Sequence, residues 1–176
     1  MSGHNKFSKI KHLKAKNDAQ KSKHFGKLVR VITVEAKKAG GNLSSPGLAA
    51  AIDKARKENM PNDTIDRAVK KAMTDNSAAM ETIIYETYGP GGVAILIDAL
   101  TDNRNKAAQE LKHILSKNGF ELAAPGSASW AFAKTHEGWN PTTTMPLEDA
   151  DIELLTKLVE ELEENEDVQN VYTNAE

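Results

Sequence analysis

The sequence contains no cysteine among its 176 residues. Disulfides, thiolate metal sites and a cysteine nucleophile are therefore excluded, and a reducing compartment such as the cytoplasm is expected. Aromatic side chains make up only 5% of the chain. No apolar run approaches the roughly 20 residues of a membrane-spanning helix, so no membrane partner is expected. The basic N-terminus has no apolar segment ahead of a cleavage site, unlike a secretory signal. A mitochondrial presequence favours Arg and Ser, and this one is almost all Lys. There is no G-x-S-x-G elbow.

Acids are nearly absent from the first thirty residues, and that stretch is the strongest signal present. MSGHNKFSKIKHLKAKNDAQKSKHFGKLVR holds eight lysines and Arg30 against Asp18 alone, a net of +8. Residues 1–80 carry seventeen Lys+Arg and seven Asp+Glu, a net of +10, and residues 81–176 carry six and eighteen, a net of −12. The overall charge of −2 hides this polarity. A basic half of this density reads as a polyanion-binding surface rather than as a solvated tail. The candidate nucleic-acid contacts are His4, Lys6, Lys9, Lys11, His12, Lys14, Lys16, Lys21, Lys23, Lys27 and Arg30. Lysines neutralise phosphates and release counterions, giving affinity without much sequence information. Six to eight engaged lysines predict a slope of log K on log salt of roughly −5 to −7. Only Phe7 and Phe25 could stack on bases here, and Phe25 looks like core, so a single-strand stacking platform is disfavoured. Duplex DNA and ribosomal RNA both remain open as partners.

Two lobes are expected, 1–79 and 80–176. In residues 1–16, Phe7, Ile10 and Leu13 fall three apart among lysines, an arm or a frayed helix. From Asn17 or Asp18 to Ala39, the residues Phe25, Leu28, Val29, Ile32 and Ala36 recur at helical spacing, and Gly40-Gly41 stops the run. Lys21, Lys23, Lys27 and Arg30 lie largely off that stripe. Ser45-Pro46 opens a second helix with Leu48, Ala51, Ile52 and Ala55 inward. Asn62 can cap a third with Ile65, Ala68, Val69 and Ala72. A helix-turn-helix is conceivable, but Arg67, Lys70 and Lys71 offer no obvious trio for base edges, and a plain three-helix bundle is favoured.

After the polar linker 74–79 the period becomes two. Thr82–Tyr88, Val93–Leu100 (central, because almost wholly apolar), a pair of strands at Phe120–Ala123 and Ser127–Lys134, and Val168–Thr173 read as strands. Helices are expected from Asp102 or Asn103 to Asn118-Gly119 and over Glu148–Asn165, with 135–147 irregular. From Val93 onward the order is the β-α-β-β-α-β of a ferredoxin-like lobe, preceded by one extra strand. The fold class is therefore α+β, a three-helix lobe followed by a ferredoxin-like lobe.

Little else carries chemistry. Gly89-Pro90-Gly91-Gly92 has no Lys-Ser/Thr after it and leads into a strand, so it is a hairpin turn and not a phosphate loop. The five histidines lack ligand spacing, so no metal is expected. Asp98 and Asp102 read more simply as a strand acid and a helix cap than as an acid–base pair. No enzyme activity, catalytic residue, cofactor or small-molecule substrate is expected, and the chain is expected to be a monomer. Glu160, Glu161, Glu163, Glu164, Glu166 and Asp167 crowd a helix C-terminus, where like charge opposes the helix dipole. They read as a solvated face, or as a steering surface or decoy for the basic arm.

GHNKFSKIKHLKAKNDAQ, LAAAIDKARKENMP, METIIYETYGPGGVAILIDALTDNRN, LSKNGFELAAPGSASWAF and LEENEDVQNVYTNAE, in this order through nearly the whole chain, resemble the YebC/PmpR family, which includes the mitochondrial translational activator of cytochrome c oxidase. The resemblance implies a helical N-terminal lobe and two α/β lobes. It carries over the basic arm, His4 to Lys16, and the helix up to Arg30. Members look like DNA-binding transcriptional regulators; others look like ribosome-associated factors that help translation through proline-rich stretches. In the family an α/β lobe is inserted after the strand matching Ser127–Lys134. Here residues 135–147 join that strand directly to the closing helix, and Phe7 stands where the family usually has Trp. Three functions follow: a DNA-binding transcriptional regulator, a ribosome-associated translation factor binding ribosomal RNA, or, by fold analogy alone, a small-molecule sensor.

Overall fold

The computed structural model describes residues 18–176. The cap at Asn17, the Phe7/Ile10/Leu13 stripe and the candidate contacts from His4 to Lys16 lie outside the described residues. Two compact units are present, divided between Met80 and Glu81.

The first unit is helical. Helix α1 spans Asp18–Ala39, α2 Pro46–Lys57 and α3 Asn62–Thr74. Leu28, Ile32 and Ala36 of α1 are buried against Leu48, Ala51, Ile52 and Ala55 of α2 and Ile65, Ala68 and Ala72 of α3. The alanines keep this core small, so each Leu or Ile carries much of it, about 1.5–3 kcal/mol apiece by burial. Helix α1 packs on both partners, while α2 and α3 touch least. This is the bundle the apolar spacing implies.

The chain reverses by one device used twice. The Gly41 amide donates to Ala36 O at 3.0 Å and Gly40 to Lys37 O at 3.2 Å, with both glycines at positive φ. At the end of α2, Met60 donates to Ala55 O and Asn59, at φ 64°, to Arg56 O. Both are Schellman closures, which satisfy the last carbonyls and turn an apolar residue, here the buried Met60, inward. The start of α3 differs from the sequence expectation: Pro61 holds the cap position, and Asn62 is the first helical residue.

The second unit is an antiparallel sheet with helices on one face. Strands β1 (Glu81–Tyr88), β2 (Ala94–Thr101), β3 (Leu122–Ala123) and β6 (Val168–Thr173) lie in the order β3-β1-β2-β6. β4 (Phe132–Thr135) and β5 (Gly138–Pro141) form a separate hairpin. Helices α4 (Arg104–Lys117) and α5 (Asp149–Glu164) bury Leu111, Leu115, Leu155, Leu158 and Leu162 against Ile95 and Ile97. The opposite face of β2, Ala94 and Leu96, is covered by Ala128, Ala131 and Phe132. Burial on both faces is why β2 reads as an unbroken apolar run. The GPGG segment is a tight 3-10 turn joining β1 to β2, with Gly91 and Gly92 at positive φ.

The α+β class holds, with a helical lobe ahead of a mixed one. One expected pairing does not. Phe120–Ala123 and Ser127–Lys134 are not partners: Leu122–Ala123 pairs with β1. The first half of Ser127–Lys134 is a 3-10 turn at Ser129–Ala131, and only its end enters β4. The physical cause is Glu86, whose carboxylate accepts the amides of Gly126, Ala128 and Ser129. Those donors are therefore unavailable to a ladder. The strand expected as an extra partner, β1, takes the place beside β2 that a ferredoxin-like third strand would hold. The β2-α4-β3 crossover straddles it as a split β-α-β unit. Residues 135–147, expected to be irregular, contain β5.

Candidate nucleic-acid interface

Helix α1 separates apolar and basic residues. Lys23, Lys27 and Arg30 recur at i, i+4 and i+7, which places them on the side opposite Leu28, Ile32 and Ala36. Lys23 is exposed, and Lys27 and Arg30 are half-buried, as expected of long side chains that lay their stems on apolar surface and keep the charge in water. Lys21 does not share that face. It continues the row Phe25, Leu28, Ile32 and is exposed. At the other end of α1, Lys37 meets Asp75 at 3.6 Å and Lys38 meets Glu35 at 3.1 Å. The Ser77 amide and hydroxyl, with Lys37 beyond them, hold the Asp75 carboxyl below its usual range.

Sequence reasoning passed over the cations of α2, although KARK at 54–57 announces them. Lys57 pairs with Asp53 at 3.1 Å. Arg56 Nε donates to Asn62 Oδ1 at 3.3 Å. Lys54 is exposed and has no acidic partner among the described residues. On α3, Arg67 Nε donates to Asp63 O at 3.3 Å, and Lys70 and Lys71 are exposed. His24 lies 3.4 Å from Glu58. Such exposed pairs contribute at most about 1 kcal/mol each, so these charges serve the surface more than the fold.

In the second unit the most distinctive sequence segments turn out to hold the structure together. In ETIIYETYGPGG, Glu86 is buried and anchors the 126–129 loop, and Tyr88 donates to Ser127 O while accepting the indole N–H of Trp130 at 3.0 Å. Burial alone would raise the Glu86 carboxyl; three backbone donors and the Ser129 hydroxyl outweigh it and hold the group below the usual carboxylate range. In TDNRN, Asn103 and not Asp102 caps α4, accepting the Lys106 amide at 3.0 Å. In NVYTNAE, the buried Asn174 accepts the Ala94 amide at 2.8 Å and donates to Thr143 O at 3.0 Å.

The acidic helix end is likewise only partly a solvated face. Glu161 accepts from Lys117 at 3.0 Å and from Asn118 at 3.1 Å, tying α5 to α4. These two contacts hold its carboxyl below the usual range. Asp167 is buried and accepts the Thr101 hydroxyl at 3.0 Å. Among the described residues, no cluster of three His, Cys, Asp or Glu is placed to hold a metal ion. No described helix is long and apolar enough to cross a membrane.

The described residues thus form a helical unit with a basic face and an antiparallel α+β unit whose distinctive polar residues hold its fold together. Residues 5–75 match the family model described as the TACO1/YebC protein N-terminal domain, and residues 80–137 and 134–175 match that of the TACO1/YebC second and third domain. The chain belongs to the TACO1/YebC family.

A relative from Fervidobacterium nodosum, named a probable transcriptional regulatory protein, is 54% identical over 136 residues, covering 76% of this chain and 54% of the relative. This chain thus spans about half the length of that relative. One from Thermosipho africanus with the same name is 37% identical over 237 residues, covering 100% of this chain and 94% of the relative. The crystal structure of the conserved hypothetical protein Aq1575 from Aquifex aeolicus superposes with a TM-score of 0.79 at 30% identity, covering 92% of this chain and 93% of that one. The two stretches matching the second and third domain overlap at 134–137, the end of β4 and the turn into β5.

Proposed function

We propose that this protein is a DNA-binding transcriptional regulator whose lysine-rich N-terminal region contacts the phosphate backbone. The observation that carries the reading is the charge polarity: a net of +10 over residues 1–80, with Lys23, Lys27 and Arg30 on the side of α1 away from its core, against −12 over the rest. A surface of this kind attracts polyanions, steers their approach and is weakened by salt. His4, Lys6, Lys9, Lys11, His12, Lys14 and Lys16 extend it in sequence, and Lys23, Lys27 and Arg30 continue it on α1, with Lys21 exposed on the row of Phe25. The names of the relatives support a role in transcription rather than in translation. The acidic unit keeps the phosphate contacts on the helical side by repulsion and leaves its own surface for solvent or protein.

Positioning by phosphate contacts does not by itself select a sequence. The test is a titration of the full chain against the promoter of its own transcription unit and against random duplex of equal length, at physiological salt. Preference for the promoter is the expected result. Equal affinity for both removes the regulator reading and leaves a general nucleic-acid binder; no binding to either removes the interface altogether.

A further inference from the structure

We infer that the phosphate-contacting surface crosses from α1 onto α2, with Lys54 as a further cation beside the face formed by Lys23, Lys27 and Arg30. The inference rests on the nucleic-acid reading above and extends it to a residue outside the lysine-rich N-terminal stretch. Two contacts fix how the helices lie. His24 of α1 is 3.4 Å from Glu58, the residue at the C-cap of α2. At the other end, Gly47 of α2 is so close to Glu35 of α1 that an added Cβ would strike its carboxylate. Positions 24 and 35 advance along α1 while 58 and 47 recede along α2 by the same eleven residues. The helices are therefore antiparallel and in step over about 16 Å, at 1.5 Å per residue.

Lys54 precedes Glu58 by one turn, and Lys27 follows His24 by three residues. Neighbours at i+3 and i+4 share a helix face, so Lys54 and Lys27 border the same interhelical groove. Between the two contacts, the described residues of α1 and α2 place no carboxylate beside Lys27 and Lys54. Residues 25–34 of α1 include no acid. The one acid on α2 between Gly47 and Glu58 is Asp53, which pairs with Lys57 at the solvent. Of the two carboxylates at the ends, Glu58 lies 3.4 Å from His24 and Glu35 pairs with Lys38 at 3.1 Å. The result is a row of cations, Lys23, Lys27 and Arg30, over seven residues of α1 or about 10 Å, with Lys54 beside Lys27. With one phosphate per 3.4 Å along a strand, that length matches about three phosphates of one backbone.

The test compares the salt dependence of duplex binding for the full chain and for Lys54→Gln, Lys57→Gln and the double variant Lys11→Gln/Lys14→Gln, with circular dichroism confirming that each is folded. Losing one phosphate contact makes the slope of log K on log salt shallower by about 1. Lys54→Gln is expected to show that change, equally on promoter and random duplex, while Lys57→Gln keeps the slope of the unmodified chain. An unchanged slope for Lys54→Gln, beside a shallower one for the arm variant, overturns the extension onto α2 and leaves the underlying reading intact. An equal change for Lys57→Gln also overturns it, since any lost charge would then count. Absence of salt-dependent binding by the unmodified chain overturns the underlying reading, and the extension falls with it.

Discussion

The Glu86 carboxylate accepts the Gly126 amide at 2.5 Å, closing a loop forty residues downstream against β1. Its other oxygen accepts Ala128 at 2.9 Å and Ser129 at 2.6 Å. One side chain thus determines that 126–129 turns across the sheet instead of joining it.

Glu86→Gln keeps the shape but replaces one acceptor oxygen with a donor facing backbone N–H groups. We expect a loss of about 1.5–3 kcal/mol, the range for hydrogen bonds to a charged group. Urea unfolding of the two proteins at neutral pH measures it; equal midpoints would show that the loop does not depend on this carboxylate.

The same group predicts a pH dependence. The Glu86 carboxyl is depressed in the folded state, while in the unfolded chain it titrates near about 4.3. Its contribution is therefore present above that unfolded value and is lost as pH falls through the lower, folded one. Stability measured from pH 6 downward should fall more steeply for the unmodified chain than for Glu86→Gln. Parallel curves would contradict the assignment.

Asn174→Ala leaves the buried Ala94 amide without the side-chain acceptor that holds it at 2.8 Å. An unsatisfied buried donor costs about 1–3 kcal/mol, and a loss in that range is expected by thermal or chemical unfolding. Asn174→Asp retains an acceptor for Ala94 but no longer donates to Thr143 O. It should be destabilised as well, so both functions of the amide are separable from volume.

Ile32 is fully buried between α2 and α3. In a core otherwise rich in alanine, Ile32→Ala should cost about 2–5 kcal/mol. Exposed Lys70→Ala is expected to stay within about 0.5 kcal/mol of the unmodified chain. Chemical unfolding read by helical circular dichroism compares the two, and similar losses for both would mean that α1 is not the centre of this unit.

The helices and the last strand were legible because their signals are local. The row Phe25, Leu28, Ile32, Ala36 and the Gly40-Gly41 stop define α1 by period and by closure. Ile152, Leu155, Leu158, Val159 and Leu162 define α5 in the same way. The pairing of Ser127–Lys134 was not legible. Its period of two was real, but its amide partners are oxygens of Glu86, and nothing near residue 127 announces an acceptor on another strand. The hairpin at Gly138–Pro141 was hidden for the reverse reason, since four residues with Gly and Pro look irregular until Lys134 and Trp139 face each other across it. The interface was legible as charge but not as geometry. Lys21 looked equivalent to Lys23, yet it extends the apolar row. Lys54 drew no notice until two cross-helix contacts placed it beside Lys27.

The central claim is that residues of the helical unit grip nucleic acid by its phosphates. The most direct measurement is the affinity of the full chain for duplex DNA across a salt series. The account predicts a linear fall of log K with log salt at a slope of roughly −5 to −7. A slope near zero, or no binding at low salt, would contradict it.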